Sequence, residues 1–350
     1  MYKKRILAAV VIAACLIGVV VFRYVSKPME QYSATFLDVF HTSSTVVGYA
    51  KDEESFRENV NILKERLDYY HKLYDIYHTY DGMNNIKTIN DQAGISPVKV
   101  DREIIELLLL SKEMYETTHG QINVAMGSVL SIWHEYRDWG ISHPESASLP
   151  PMDQLQEAAL HTDINKIIID KETSTVYLED SKMSIDVGSI GKGYAVEQVA
   201  LYAKEQGMEY LLLNIGGNIR TIGSKANGEA WRLGIQNPDL ESDESYVKRV
   251  EISDLSMVTS GDYQRYYIVD EKEYCHIIDP DTLMPAEEIA SVSVITRDSG
   301  VADALSTSVF NMSLEEGMEF VNGLQGVEAI WILHDGSMRY SEHFEDYVIK

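Results

Sequence analysis

A chain of 350 residues with 45% hydrophobic and 24% charged residues has enough apolar material for a full core, which excludes an intrinsically disordered protein. It carries 30 basic and 55 acidic residues, and five of the basic ones (Lys3, Lys4, Arg5, Arg23, Lys27) fall in the first 27 positions. The remaining body has a net charge of −30, which excludes a general nucleic-acid binder and leaves any anionic ligand dependent on a local device: a divalent cation, a helix N-terminus or clustered backbone N–H groups.

Residues 6–22 form an unbroken apolar run of 17 residues, preceded by Lys3, Lys4 and Arg5 and closed by Arg23. A run of this length flanked by charge is expected to span a membrane with the N-terminus inside. Ile12-Ala13-Ala14-Cys15 also fits a lipoprotein cleavage box in which Cys15 becomes the lipidated first residue. The seven apolar residues after Cys15 favour the uncleaved anchor over that alternative. Cys275 is the only other cysteine, so no disulfide framework is expected.

Residues 28–34 read as a tether and residues 36–50 as one or two strands. Phe56, Val60, Leu63, Leu67, Tyr70, Tyr74 and Tyr77 recur at spacings of four and three, which predicts an amphipathic helix to about residue 77, with the tyrosines as core. A second helix is expected over 101–118 and a surface loop over 142–151. Strands follow at 166–169, 175–178 and 210–213, with a helix over 192–205 between the last two. Further strands are expected at 231–235, 247–252, 266–269 and 289–295, with a hairpin turn at 270–273. Helices over 301–311 and 314–322 precede a last strand, 329–333. Strands and helices mix without regular βαβ alternation, so the pattern predicts an α+β fold with a largely antiparallel sheet.

Three glycine-containing turns are expected after strands: Asp186 to Ala195 (DVGSIGKGYA), Asn214 to Asn218 (NIGGN) and Thr259 to Tyr263 (TSGDY). Each can bring backbone N–H groups near a phosphate, yet none has Walker or dinucleotide spacing, and singly each reads as an ordinary turn. Lys192, between two glycines at a helix start, adds a cation where the dipole already favours an anion. A second constellation is Tyr274 to Pro280 (YCHIIDP) followed by Ala302 to Thr307 (ADALST). On a helix Asp303 and Thr307 share a face and can offer a carboxylate and a hydroxyl to one hard cation; equally, Asp303 suits a helix first turn and Thr307 a back-bond to a carbonyl.

In their order, DVGSIGKGYAVE, NIGGN, TSGDY, HIIDP with Pro285, and ADALST resemble the signatures of the ApbE flavin transferases, and Tyr80 with Asn90, and Gly120, are similar to its N-terminal signatures. The resemblance spans about residues 35–340. It implies a T-fold-like α+β core with a smaller subdomain, FAD held between the two, and a division into an anchor and tether (1–30) and a transferase domain (31–350). It implies Mg2+ ligands at Asp303, Thr307 and the Gly191 carbonyl, and FAD contacts at Tyr80, Asp186, Lys192, Ser260, Gly261 and His276. His276 and Asp303 are the implied catalytic residues, with Asp279 a further candidate general base. The sequence departs from the family pattern at Phe40-His41-Thr42, Asn84, Asn123, Cys275 and Met284.

The chemistry so implied is transfer of FMN from FAD to a threonine hydroxyl of a target protein, with AMP as leaving group. The alternatives are Mg2+-dependent hydrolysis of FAD to FMN and AMP, or extracytoplasmic FAD binding without catalysis. Implied partners are flavin-carrying subunits of membrane electron-transport complexes and other exported redox proteins. With the N-terminal run, the expected location is the outer side of the cell membrane.

Overall fold

The residues expected to be a tether are largely strand. The computed structural model describes residues 28–349, and in it β1 (Glu30–Val39) pairs antiparallel with β2 (Thr42–Ala50). Tyr32, Ala34 and Phe36 alternate toward the helical layer, and the Tyr32 ring stacks on Phe56 at 5.7 Å, which holds the segment in the sheet. The apolar run 6–22 and Cys15 lie outside the described residues. Among the described residues no helix is long and apolar enough to cross a membrane.

Helix α1 (Glu53–Tyr74) starts where the Asp52 carboxylate accepts from Ser55 N at 2.9 Å. It buries Phe56, Val60, Leu63, Leu67, Tyr70, Leu73 and Tyr74, the expected stripe with Leu73 added and Tyr77 removed. The helix stops three residues short of the expected end because Asp75 turns extended and its carboxylate captures the N–H groups of Tyr77 (2.6 Å) and His78 (3.1 Å). Next come α2 (Ile86–Asp91), β3 (Val98–Lys99), α3 (Arg102–Thr117), α4 (Gly127–Ser142) and α5 (Met152–Ala159), then β4 (Ile167–Asp170) and β5 (Thr175–Leu178). Neither α4 nor α5 was anticipated. They carry a satellite core in which Met126, Val129, Trp133 and Leu155 meet Tyr267, Ile278 and Leu283.

The second half supplies α6 (Gly191–Glu205), β6 (Leu211–Ile215), β7 (Asn218–Ile222), β8 (Trp231–Gln236), β9 (Tyr246–Ile252) and β10 (Ser256–Gly261). After these come β11 (Tyr266–Val269), β12 (Lys272–Cys275), β13 (Ile289–Thr296), α7 (Ser299–Asn311), α8 (Leu314–Asn322) and β14 (Glu328–Leu333). A further strand, β15 (Met338–Tyr340), follows the one expected to be last. Eight strands form one antiparallel sheet in the order β1-β2-β6-β7-β10-β13-β14-β15. Helices α1, α6, α7 and α8 cover one face; the β8–β9 hairpin and Phe344 cover the other, burying Leu212, Met257, Ile295, Ile330 and Ile332. Covered on both faces, β13 is buried at all eight positions, so its sequence reads as a nearly continuous apolar and small-residue run.

Two of the three glycine segments behave as expected. Gly216 and Gly217 form the two-residue turn between β6 and β7, with φ of +56° and +89° that side chains rarely adopt. Asp186 to Ile190 leads into α6. The third is corrected: Ser260 and Gly261 are not a turn but the last two residues of β10, paired with Val292 and Ser291.

Candidate active site

A cavity of about 620 Å³ opens where the end of α1, the α4 face, the start of α6, the end of β10 and the α7 face converge. Three cations (Arg137, Lys192, Arg265) and three carboxylates (Asp75, Asp186, Asp303) line it, so the site is locally balanced in a chain of net charge −25. That balance lets an anion enter against the overall field.

At its deep end the first turn of α6 meets α7. Gly193 permits the approach, since a Cβ there would lie 2.4 Å from Asp303 Cβ and 2.3 Å from the Ser299 carbonyl. Gly193 N–H donates to Asp303 Oδ2 at 2.7 Å. Asp298, not Asp303, caps α7, accepting from Gly300 and Val301, so the bland helix-start reading of Asp303 fails. Burial pushes the Asp303 carboxyl above its ordinary range, opposed by the Lys192 ammonium and the Gly193 N–H. Burial likewise lowers Lys192, whose Nζ donates to Asn218 Oδ1 at 2.6 Å and to the Gly216 carbonyl at 3.4 Å.

Back-bonding on α7 is done by Ser306, to the Asp303 carbonyl, and by Ser308, to the Ala304 carbonyl. The Thr307 hydroxyl instead lies 3.5 Å from Ser260 Oγ. Gly191, Asp303 and Thr307 all line the cavity. Among the described residues no three His, Cys, Asp or Glu side chains group as a metal cage. The donors present, one buried carboxylate, a hydroxyl and a backbone carbonyl, are all oxygen; they fit Mg2+, which is commonly held by one or two carboxylates with substrate phosphates and water filling the other positions.

His276 keeps part of its ring open to the cavity although it sits deep in the protein. Its Nδ1–H donates to the Arg265 carbonyl at 3.2 Å, leaving the Nε2 lone pair free. Burial first, then the flanking Arg265, Arg137 and Lys192 charges, draws its pKa down to about 4, so the imidazole is neutral at physiological pH.

Of the remaining expected residues, Asp186, Lys192, Ser260 and Gly261 line the cavity and Tyr80 does not. Tyr80 sits behind Asp75, donating its hydroxyl to Asp75 Oδ2 at 2.7 Å. That hydroxyl and the Tyr77 and His78 N–H groups outweigh burial and hold the Asp75 carboxylate below its ordinary range. Asp279 is also displaced from the chemistry, since its carboxylate closes a turn by accepting from Asp281 N (2.8 Å) and Thr282 Oγ1 (3.0 Å). Sequence reasoning missed Tyr77, His134 and Arg137, all of which line the cavity. Met126, Leu130, His134 and Arg137 follow a helical spacing of four, four and three, a signal present in the sequence once a helix is placed there.

A profile of the ApbE family matches residues 40–331. The chain belongs to the ApbE family. It is 31% identical over 277 residues to an FAD:protein FMN transferase of Treponema pallidum, covering 75% of this chain and 74% of that protein. It is 30% identical over 250 residues to one of Klebsiella pneumoniae, covering 71% and 75%. The crystal structure of the ApbE protein from Thermotoga maritima superposes with a TM-score of 0.80 at 26% identity, over 92% of this chain and all of that one. The ApbE match runs from the β1–β2 turn to β14 and so contains every wall of the cavity.

Proposed function

We propose that this chain is a Mg2+-dependent FAD:protein FMN transferase, moving FMN from FAD to a threonine hydroxyl of a target protein with release of AMP. The carrying observation is the cavity, which a buried carboxylate, a helix N-terminus with its lysine and a neutral imidazole all line, in a chain whose relatives bear that activity's name. The N-terminus of α6 and Lys192 favour the diphosphate. Asp303, Thr307 and the Gly191 carbonyl would hold Mg2+, which when bound neutralises charge on the diphosphate and on departing AMP. Asp186, Lys192, Ser260, Gly261 and His276 are the proposed flavin contacts, and Tyr80 acts through Asp75. With Nδ1 committed to a carbonyl, His276 offers Nε2 as an acceptor that orients the reacting groups without adding charge.

The same reading places the body outside the cell membrane, held by residues 6–22 or by a lipidated Cys15, with membrane electron-transport subunits and exported redox proteins as acceptors. The basic residues ahead of the apolar run support it. The unbroken sheet from β1 to β15 supports treating residues 31–350 as one transferase domain.

The test is incubation with FAD, Mg2+ and a purified flavin-carrying subunit, read by gel fluorescence and AMP assay. A fluorescent acceptor with matching AMP is expected. Free FMN with AMP and an unlabelled acceptor establishes hydrolysis instead, and intact FAD establishes binding alone.

A further inference from the structure

Among the described residues three hairpins turn on two residues: β1–β2 on Phe40-His41, β6–β7 on Gly216-Gly217 and β11–β12 on Asp270-Glu271. All six residues have positive φ, the conformation such turns demand. Glycine meets that demand freely, and aspartate and histidine tolerate it; a phenylalanine there is an outlier whose cost the surroundings must offset. Of the described non-glycine residues with positive φ, Phe40 and His41 are the two that line the cavity.

Packing accounts for only part of this. Phe40 is half-buried and packs partly against the main core, but His41 is exposed and its ring nitrogens make no hydrogen bond within the described residues. Both rings stand edge-on to His71, at 5.5 and 5.1 Å with interplanar angles of 86° and 81°, and His71 lines the cavity as well. An edge-on contact engages the face of only one ring of the two, so the cluster keeps faces for a planar partner. A second pair of rings in the cavity, Tyr77 and His134, is joined by its own contact of 3.1 Å between hydroxyl and Nδ1, and neither residue has positive φ. That pair needs no ligand to explain it.

The turn is also seated beside the lysine at the start of α6. A Cβ on Gly216 would lie 2.4 Å from Thr42 Oγ1, and Gly216 N–H donates to the Ser43 carbonyl at 3.1 Å, so the β1–β2 hairpin rests directly on the β6–β7 turn. The Gly216 carbonyl in turn accepts from Lys192 Nζ at 3.4 Å. One residue thus links the turn to Lys192, a span that the sugar between a nucleotide's phosphate and its ring can bridge.

We propose that Phe40 and His41, braced by His71, form a stacking platform for one of the two planar nitrogen heterocycles of FAD. This deepens the transfer reading above and rests on it for the identity of the ligand. Stacking on the bound ring offsets the conformational cost of Phe40.

The experiment measures binding of FAD, FMN and AMP to the full chain with Mg2+ by calorimetry. Phe40→Asn suits the turn but offers no ring; it should weaken FAD binding about tenfold and one of the two half-ligands by a similar factor, with the other within about twofold. Loss confined to FMN assigns the platform to the isoalloxazine, and loss confined to AMP assigns it to adenine. Phe40→Tyr keeps a ring and should bind all three like wild type. Equal loss of FMN and AMP, as a collapsed turn would give, overturns the proposal, and so does unchanged FAD affinity in Phe40→Asn. If Phe40→Asn does not fold, His41→Asn decides: a loss of about threefold for FAD and one half-ligand is expected, and unchanged affinity for all three overturns the proposal. A wild-type chain that binds none of the three overturns the transfer reading itself, whereas full binding by the variants leaves that reading standing and removes only the platform.

Discussion

The two ends of the cavity are built differently. Behind the deep end the packing is cross-tied: Glu197 takes Arg220 Nε at 2.8 Å, Arg220 Nη2 at 3.2 Å and Ser299 N at 2.9 Å, tying α6 and β7 to the start of α7. Gly193 lets α6 and α7 touch, and Asp303 is 5% exposed. At the mouth the β1–β2 turn places Phe40 and His41 at φ of 51° each, a region costly for non-glycine residues, with their rings edge-on to His71 at 5.5 and 5.1 Å. Tyr77 and Arg265 are exposed there. The contrast teaches a division of labour: rigid, desolvated packing where charge is handled, and adaptable aromatic and cationic side chains on connecting segments where the cavity opens.

The largest expected effect breaks the deep end. Asp303→Asn keeps an oxygen for the Gly193 N–H but removes the anion, so the transfer rate should fall about 10³-fold with little change in melting temperature. Assay with unfolding controls checks it, and a comparable loss of fold would show Asp303 to be structural. Gly193→Ala drives a methyl into the Ser299 carbonyl and Asp303 Cβ, and should cost about 1–3 kcal/mol by denaturant unfolding, with transfer reduced alongside.

These are also the residues the sequence made legible. Asp303 and Thr307 shared a face by helical spacing, and Lys192 stood between two glycines at a helix start; local pattern carried that information because each residue sits on a regular element. Between β6 and β14 the strands β6, β8, β9, β11, β13 and β14 were readable for the same reason, whereas β7, β10 and β12 carried no strand expectation. The mouth was not legible. Tyr77 continued a helical stripe and looked like core until Asp75 ended the helix, and His134 lay in a segment with no assigned helix. Tyr80 was expected to touch flavin, whereas its hydroxyl is spent on Asp75, a contact fixed by how the chain turns after α1. Ser260 and Gly261 looked like a turn because glycine marks turns locally, whereas pairing with β13 extends the strand through them.

The intermediate prediction sharpens the electrostatic side. His276 has its folded-state pKa drawn down to about 4 from an ordinary 6.5, so the unfolded chain binds more protons between those values. Stability should therefore rise with pH across that window and be lost as pH falls through it, and His276→Asn should flatten this part of the curve. At neutral pH His276→Ala should weaken transfer without unfolding the protein. A large drop in melting temperature with normal turnover would make it a structural residue. Thr307→Val should lower the rate only about tenfold, with partial rescue by added Mg2+, because water replaces a neutral ligand more readily than a carboxylate. The smallest effect belongs to Tyr80→Phe, which removes one hydrogen bond to Asp75 and should change FAD affinity less than about threefold.

The central claim is that the deep end joins metal to diphosphate while the mouth takes a ring of FAD. Its most direct test is FAD affinity, followed by flavin fluorescence, as Mg2+ is titrated into wild type, Asp303→Asn and Phe40→Asn. Mg2+ should tighten FAD binding in wild type and in Phe40→Asn and have no effect in Asp303→Asn. The same Mg2+ dependence in Asp303→Asn as in wild type would contradict the account.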